Sequence, residues 1–219
     1  GKAQIMSLEV KSDTWRSRRR AASIDDIVAV AVRQMDAGGA GALSLGAVAR
    51  ELGIQTPSLY TYFESKAALY DEVFRRGWDD LRTIFPTPAE VTDQTDPRTL
   101  VRDLMAALLA WAASHRGHAQ LMFWRPIPAW HPSEASFAAA QTTVSRSAEL
   151  IAALQRCGRL RRDADVPMLN DVLGVVMMGL VSQHLSNDYD APADNGRVSA
   201  HLTALAELII GPFETRGQS

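Results

Sequence analysis

Apolar residues in this chain recur every three or four positions and nowhere alternate one-in, one-out, so the pattern is helical throughout. Residues 1–22 carry no such period and read as an arm. From Ser23 the period sets in with Ile24, Ile27, Val28, Ala31 and Met35, which predicts a first helix to about Ala37. Ser23 is its expected N-cap, with Asp26 as a capping-box-like partner. Gly38, Gly39 and Gly41 end it. Ser44 is placed to cap a second, short helix with Leu45, Val48, Ala49 and Leu52 facing inward. Gly53 then marks a sharp turn, and Thr56 is the expected cap of a third helix with Pro57 in its first position. Leu59 and Phe63 point inward from it. Ser65 begins a long fourth helix with stripes Leu69/Val73 and Tyr70/Phe74/Trp78/Leu81, stopped by Pro86 and Pro88.

The remainder repeats the theme. Asp96 and Pro97 open a helix bearing Leu100, Leu104, Leu108 and Trp111, predicted to reach Gly117, followed by a short helix around His118–Trp124. Three prolines between Arg125 and Pro132 impose irregular backbone. Ser133 opens a helix with Phe137, Val144, Ala148 and Ile151 on one face, closed by Gly158. Asp165 and Pro167 open one that runs to about Ser186 and is apolar nearly all round. The last carries Leu202, Leu205, Ala206 and Ile209 and ends at Gly211-Pro212.

Composition narrows the class. The 219 residues are 47% hydrophobic and 22% charged, as in a folded chain rather than a disordered one. A single cysteine, Cys157, permits no intrachain disulfide framework or CxxC pair, so a reducing cytoplasm is the expected compartment. The first residues are polar, without the apolar core of a signal peptide. The longest apolar run, Val172–Val181, falls short of the ~20 residues of a membrane span, which predicts a buried helix and no membrane partner. The net charge of −2 decides nothing, but Lys11, Arg16, Arg18, Arg19 and Arg20 against Asp13 concentrate positive charge in the arm. That arm has two readings: a solvated tail, or a segment that enters a DNA minor groove beside the helices it precedes.

The segment Leu43–Phe63 carries the chemistry. Two short helices separated by a glycine turn, both with faces turned to the first helix, make a helix-turn-helix. To lie in a major groove, the second of them needs an outer face free of bulk and able to hydrogen-bond. At 100° per residue Thr61 lands opposite Leu59, flanked by Pro57, Ser58 and Tyr60. Small hydroxyl side chains there suit base edges, Tyr60 and Tyr62 suit phosphates, and Lys66 adds charge beside a helix start.

Residues 43–66, LSLGAVARELGIQTPSLYTYFESK, resemble the DNA-binding segment of the TetR/AcrR-type transcriptional regulators. Leu-Ser, Val-Ala, Leu-Gly-Ile, Pro-Ser-Leu-Tyr, Tyr-Phe and the lysine that opens the next helix carry the likeness. It extends back through the first helix and forward into the fourth. The stretch Leu109–Ser133, with Trp111, His115, Phe123, Pro126 and His131-Pro132, is similar to one C-terminal subclass of that family. The resemblance implies that the third helix reads an operator and the fourth transmits ligand-driven motion. Carried over, Ser44, Thr56, Pro57, Ser58, Tyr60, Thr61, Tyr62 and Lys66 occupy DNA-contacting positions, joined by Arg18, Arg19 and Arg20 if the arm takes part. Gly46 departs from the pattern, since some members place a polar or basic contact there. The expectation is therefore an all-α protein: a flexible basic arm over 1–22, a helix-turn-helix domain over 23–66, and a helical ligand-binding and dimerisation domain over 67–219.

For the larger domain, an apolar effector pocket is expected from Met105, Leu108, Trp111, Met122, Phe123, Trp124, Trp130, Phe137 and Met177, with His184 as its polar anchor. Singly, each reads equally well as core. Val172, Val175, Val176 and Val181 cannot all point into one small core, which predicts a four-helix interface between two copies, formed by Val172, Val176, Leu202, Leu205 and Ile209. Two recognition helices would then stand about 34–36 Å apart on a palindromic operator. His115, His118 and His131 lack a completing cysteine or carboxylate and read as capping or surface residues, not metal ligands. No G-x-S-x-G, P-loop, H-E-x-x-H or dinucleotide-binding glycine pattern is present, so neither catalysis nor a cofactor is expected. The reading is a dimeric repressor released by a small, largely apolar molecule. Its alternatives are a helical small-molecule enzyme with a vestigial DNA head and a ligand-independent DNA-binding protein.

Overall fold

The computed structural model describes residues 23–188 and 190–215, and the described residues form helices joined by turns. The first helix, α1, spans 23–38, so Ser23 lies inside it rather than before it. Next come α2 (Leu45–Glu51), α3 (Thr56–Leu59) and α4 (Lys66–Leu81). The Ser44 hydroxyl caps α2 by accepting from Ala47 N, and Ser65 caps α4 by accepting from Ala68 N at 3.1 Å. The start of α3 corrects the expectation by one residue. Gln55 is the N-cap and makes no side-chain capping bond, and Pro57 sits second. The α-helix itself is a single turn, extended through Tyr60–Tyr62 by tight turns in which Phe63 N still reaches Leu59 O at 2.9 Å.

The helix predicted to run to Gly117 breaks earlier. Asp96 caps α5 (Pro97–Ser114), and His115, at φ −129°, separates it from α6 (Arg116–Phe123). Gly117 thus lies within α6, where α6 meets α1: a Cβ there would stand 2.8 Å from Met35 Cβ. Absence of a side chain allowed the contact, whereas the sequence pattern suggested a helix end. Ser133 and Asp165 cap α7 (Glu134–Arg156) and α8 (Val166–Asn187) as expected, and α9 spans Leu202–Ile210.

One core runs through the molecule. In the head, Ile27, Ala31, Leu43, Val48 and Leu59 are buried, as is Phe63. Beyond it, α4 packs on α6 and α7, and α5 packs on α8 and α9. Phe137 and Val144 correct the reading of α7: both are about half exposed (48% and 51%), whereas Ile151 on the same predicted face is buried. In α8 the buried-helix expectation holds for only one side. Leu173, Met177, Leu180 and Val181 are buried, but Val172 and Val175 are exposed, at 39% and 73%. By length and composition α8 is also apolar enough to cross a membrane, although 28% of its apolar window is buried inside the fold.

Candidate nucleic-acid interface and ligand clefts

The turn between α2 and α3 is fixed by Gly53, whose φ of +67° a side chain would resist. Ile54 N reaches back to Ala49 O at 3.0 Å, closing the end of α2 and aiming α3 outward. Gln55, Pro57, Ser58, Tyr60 and Thr61 are exposed on that side, and Thr56, Tyr62 and Lys66 are half-buried. The Thr61 hydroxyl donates to Ser58 O at 2.7 Å, which points its methyl and oxygen lone pairs elsewhere. Lys66 Nζ stands 5.4 Å above the Tyr70 ring, so the ammonium is held at the root of α4. Gly46 has open space around it, with Ser44 Oγ at 3.9 Å the nearest atom to a built Cβ. Gln55, one residue before α3, stands exposed beside the same face. Arg18, Arg19 and Arg20 lie outside the described residues.

The head is clamped to the body at both ends of α1. Near the start, Asp25 pairs with Arg76 of α4 at 2.6 Å. At the far end, Asp36 accepts from Gly117 N at 2.6 Å, and Gln120 Oε1 accepts from Ala40 N at 3.1 Å. The buried Tyr70 hydroxyl donates to Ala40 O at 3.0 Å. On α4, burial by itself would raise the Glu72 carboxyl, but hydrogen bonds and charge from Arg75 and Arg76 outweigh it and hold it below its ordinary value. Two of the four clamping groups belong to α6. That helix is pressed onto α4 where Gly77 leaves room for Met122 and His118. Burial there, reinforced by the neighbouring His115 charge, pushes His118 down to about 4. His115 instead closes α5, with Nδ1 2.9 Å from Trp111 O and its ring stacked on Trp111 at 5.1 Å. No group of three metal-ligating side chains comes together among the described residues.

The expected pocket residues divide between two clefts that meet at Phe123. The first, about 370 Å³, opens between α4, α7 and α8 and takes in Leu108, Phe123 and Met177. Trp78, Leu81, Phe85, Val144, Val175 and Met178 complete its apolar wall, with Thr143, Ser147, Asn170 and Asp171 as polar points. The second, about 360 Å³, takes in Met122, Phe123, Trp124, Trp130 and Phe137. Three assigned residues line neither. Met105 is fully buried core. Trp111 is also buried, and its indole N–H is engaged by Asp80 at 2.7 Å. His184 is fully buried, with both ring nitrogens unpaired among the described residues, under Gly196, where a Cβ would stand 3.0 Å from Nδ1. It lies packed beneath the turn after α8 and lines neither of these clefts.

The expected interface residues divide as well. Val172 is exposed, and Val176 and Leu205 are half-buried. Leu202 and Ile209 are turned inward, at 7% and 9% exposure, because α9 lies along α5. The outer place on α9 belongs to Leu208, which is 72% exposed and which the sequence reading passed over.

Comparison with known proteins gives these surfaces a context. Residues 27–73 match a family model described as bacterial regulatory proteins, tetR family. Residues 101–206 match one described as tetracyclin repressor-like, C-terminal domain. The chain is 30% identical over 152 residues to the HTH-type transcriptional regulator Rv1816 of Mycobacterium tuberculosis. That match covers 66% of this chain, which spans only 64% of the relative's length. Among solved structures, a Rhodococcus sp. RHA1 protein of unknown function superposes with a TM-score of 0.73 at 19% identity, covering 88% of this chain and 95% of the other. The TetR family transcriptional regulator PfmR of Thermus thermophilus gives 0.63 at 19% identity, covering 84% and 97%.

Proposed function

The chain belongs to the TetR family of bacterial transcriptional regulators, and from that premise we propose that it is a homodimeric, ligand-responsive repressor acting on DNA in the cytoplasm. In this reading the head over 23–66 binds a palindromic operator. Pro57, Ser58 and Thr61 face base edges, with the Thr61 and Pro57 carbons suited to a thymine methyl. Ser44, Thr56, Tyr60, Tyr62 and Lys66 take phosphates, Gln55 joins them, and Arg18, Arg19 and Arg20 follow the minor groove. Gly46 supplies backbone only.

The observation that carries the ligand response is the position of α6. One eight-residue helix holds the head through Gly117 and Gln120 and ends at Phe123, which lines both clefts. A small, largely apolar effector seated in the cleft between α4, α7 and α8 presses on Phe123 and Trp78. It thereby biases the helices that set the head's position. The shift it produces is limited to its differential affinity for the two conformations. The exposed face of α8 and Leu208 of α9 are assigned to a second copy. Lipid is a poor alternative, because the exposed carboxylate of Asp171 stands beside Val172 and Val175, and a charge at membrane depth costs several kcal/mol.

Selection of bound sequences from a random DNA library, at stated salt, tests the reading. The expected result is a palindrome with half-sites one helical turn apart. Weak, salt-sensitive and sequence-blind binding would overturn it.

A further inference from the structure

The second cleft differs from the first in the sign of its charge. Between α4, α6 and the start of α7, Phe74, Phe123, Trp124, Trp130 and Phe137 form an aromatic enclosure. Its floor is ordered: Phe74 and Trp130 meet edge-on at 5.7 Å, and Phe123 and Trp124 at 6.2 Å. Trp130 is fixed further by its indole N–H, which donates to Asp71 at 3.1 Å. Phe137, half exposed, stands at the mouth.

The charged side chain of this cleft is Arg125, on the irregular segment after α6. It is exposed and pairs with no carboxylate among the described residues; its polar contact is the His131 ring, with Nη2 2.8 Å from Nε2. No acidic side chain lines the cleft among the described residues. Asp71 accepts from Trp130 Nε1 and Ser133 N and does not line it. The first cleft is the reverse, with Asp171 in its wall and no lysine or arginine. A guanidinium fork beside aromatic rings matches a planar anion, whose carboxylate accepts two hydrogen bonds while its rings lie on aromatic faces. The volume, about 360 Å³, falls within the ~300–1,000 Å³ of small-molecule sites.

We propose that this second cleft is a separate binding site for aromatic carboxylates, with Arg125 as the anion anchor and Trp124 and Phe137 as ring contacts. The site is separate from the effector cleft between α4, α7 and α8, and it does not depend on the operator reading. Through Phe123 and Met122 its occupant bears on α6.

Isothermal titration of the full chain with 2-naphthoate and with its neutral counterpart 2-naphthol tests this. The expected result is saturable naphthoate binding, at least tenfold tighter than naphthol, weakening as salt is raised. Arg125→Gln should lower naphthoate affinity by roughly tenfold or more and leave naphthol unchanged, because a charge-assisted pair is lost. Arg125→Lys keeps the charge without the fork and should fall between. Val144→Trp, at the mouth of the first cleft, should leave naphthoate binding as it was. Circular dichroism checks that each variant is folded; Arg125 is exposed, so its replacement leaves the core intact. Equal naphthoate affinity in Arg125→Gln, equal binding of acid and alcohol, no saturable binding, or loss of binding in Val144→Trp would each overturn the proposal.

Discussion

Gly53 and His118 show how single residues set the behaviour of the two halves. Gly53 holds a φ of +67° at the turn that aims α3, and a Cβ there meets no neighbour, so the objection to a side chain is conformational alone. Gly53→Ala should therefore lower stability by about 1–2 kcal/mol and weaken operator binding with it, as read by thermal melts and by titration of the operator. His118 is held neutral by burial, with its pKa near 4 against an ordinary 6.5. An imidazole whose folded value is depressed takes up its proton more readily in the unfolded chain. Its contribution is complete above pH 6.5 and is lost as pH falls towards 4. Melting temperature should fall over that window, and His118→Gln should flatten this part of the curve even if it lowers the whole of it. An unchanged slope would remove His118 from the account. Gly46 invites the opposite kind of change. A lysine there has room and improves helix propensity, so Gly46→Lys should tighten DNA binding and steepen its salt dependence by about one phosphate contact.

At the level of elements, α6 is the piece on which the proposed mechanism turns. It is short, it begins at a backbone break, and its contacts reach the head in one direction and the clefts in the other. Gly117→Ala would drive a Cβ against Met35 Cβ, Asp36 Oδ1 and the Asp36 backbone nitrogen, at 2.8–3.0 Å. Because one of these is main chain, α6 must move off α1. The expected result is a loss of about 1–3 kcal/mol in stability, with the effector's influence on operator affinity reduced more than ligand binding itself. Titrating ligand and operator separately distinguishes those two effects. If both fell in parallel, α6 would be a structural support and not a link.

At the scale of the whole molecule, the described residues leave one side of α8 and Leu208 of α9 uncovered, and the dimer is assigned to that side. Leu208 is 72% exposed there and lines neither cleft, whereas Val175, at 73%, also lines the first. Leu208→Asp sets a charge where two copies would meet, and it should turn the sedimenting species from dimer to monomer. The monomer's helix content should stay close to that of the parent. Operator affinity should collapse, since one head meets one half-site. A dimer that survives the substitution would place the interface elsewhere.

Sequence alone determined the helices and most of their caps. Ser44, Ser65, Asp96, Ser133 and Asp165 act on amides three residues away, within reach of local chain geometry. The helix-turn-helix was legible for the same reason: its glycine turn, inward leucines and outward hydroxyls lie within 24 consecutive residues. Periodicity, however, gives a face and not its neighbour. Only the packing of α9 along α5 turned Leu202 and Ile209 inward and left Leu208 outside. Only the folded chain set Gly117 against Asp36 across 81 positions, and buried His184 with no partner among the described residues. The division of the aromatic residues into two clefts of opposite charge was likewise beyond the sequence. Arg125 and Asp171 take their meaning from side chains that α4, α6, α7 and α8 bring together, and those distances are set by packing of the whole, not by spacing along the chain.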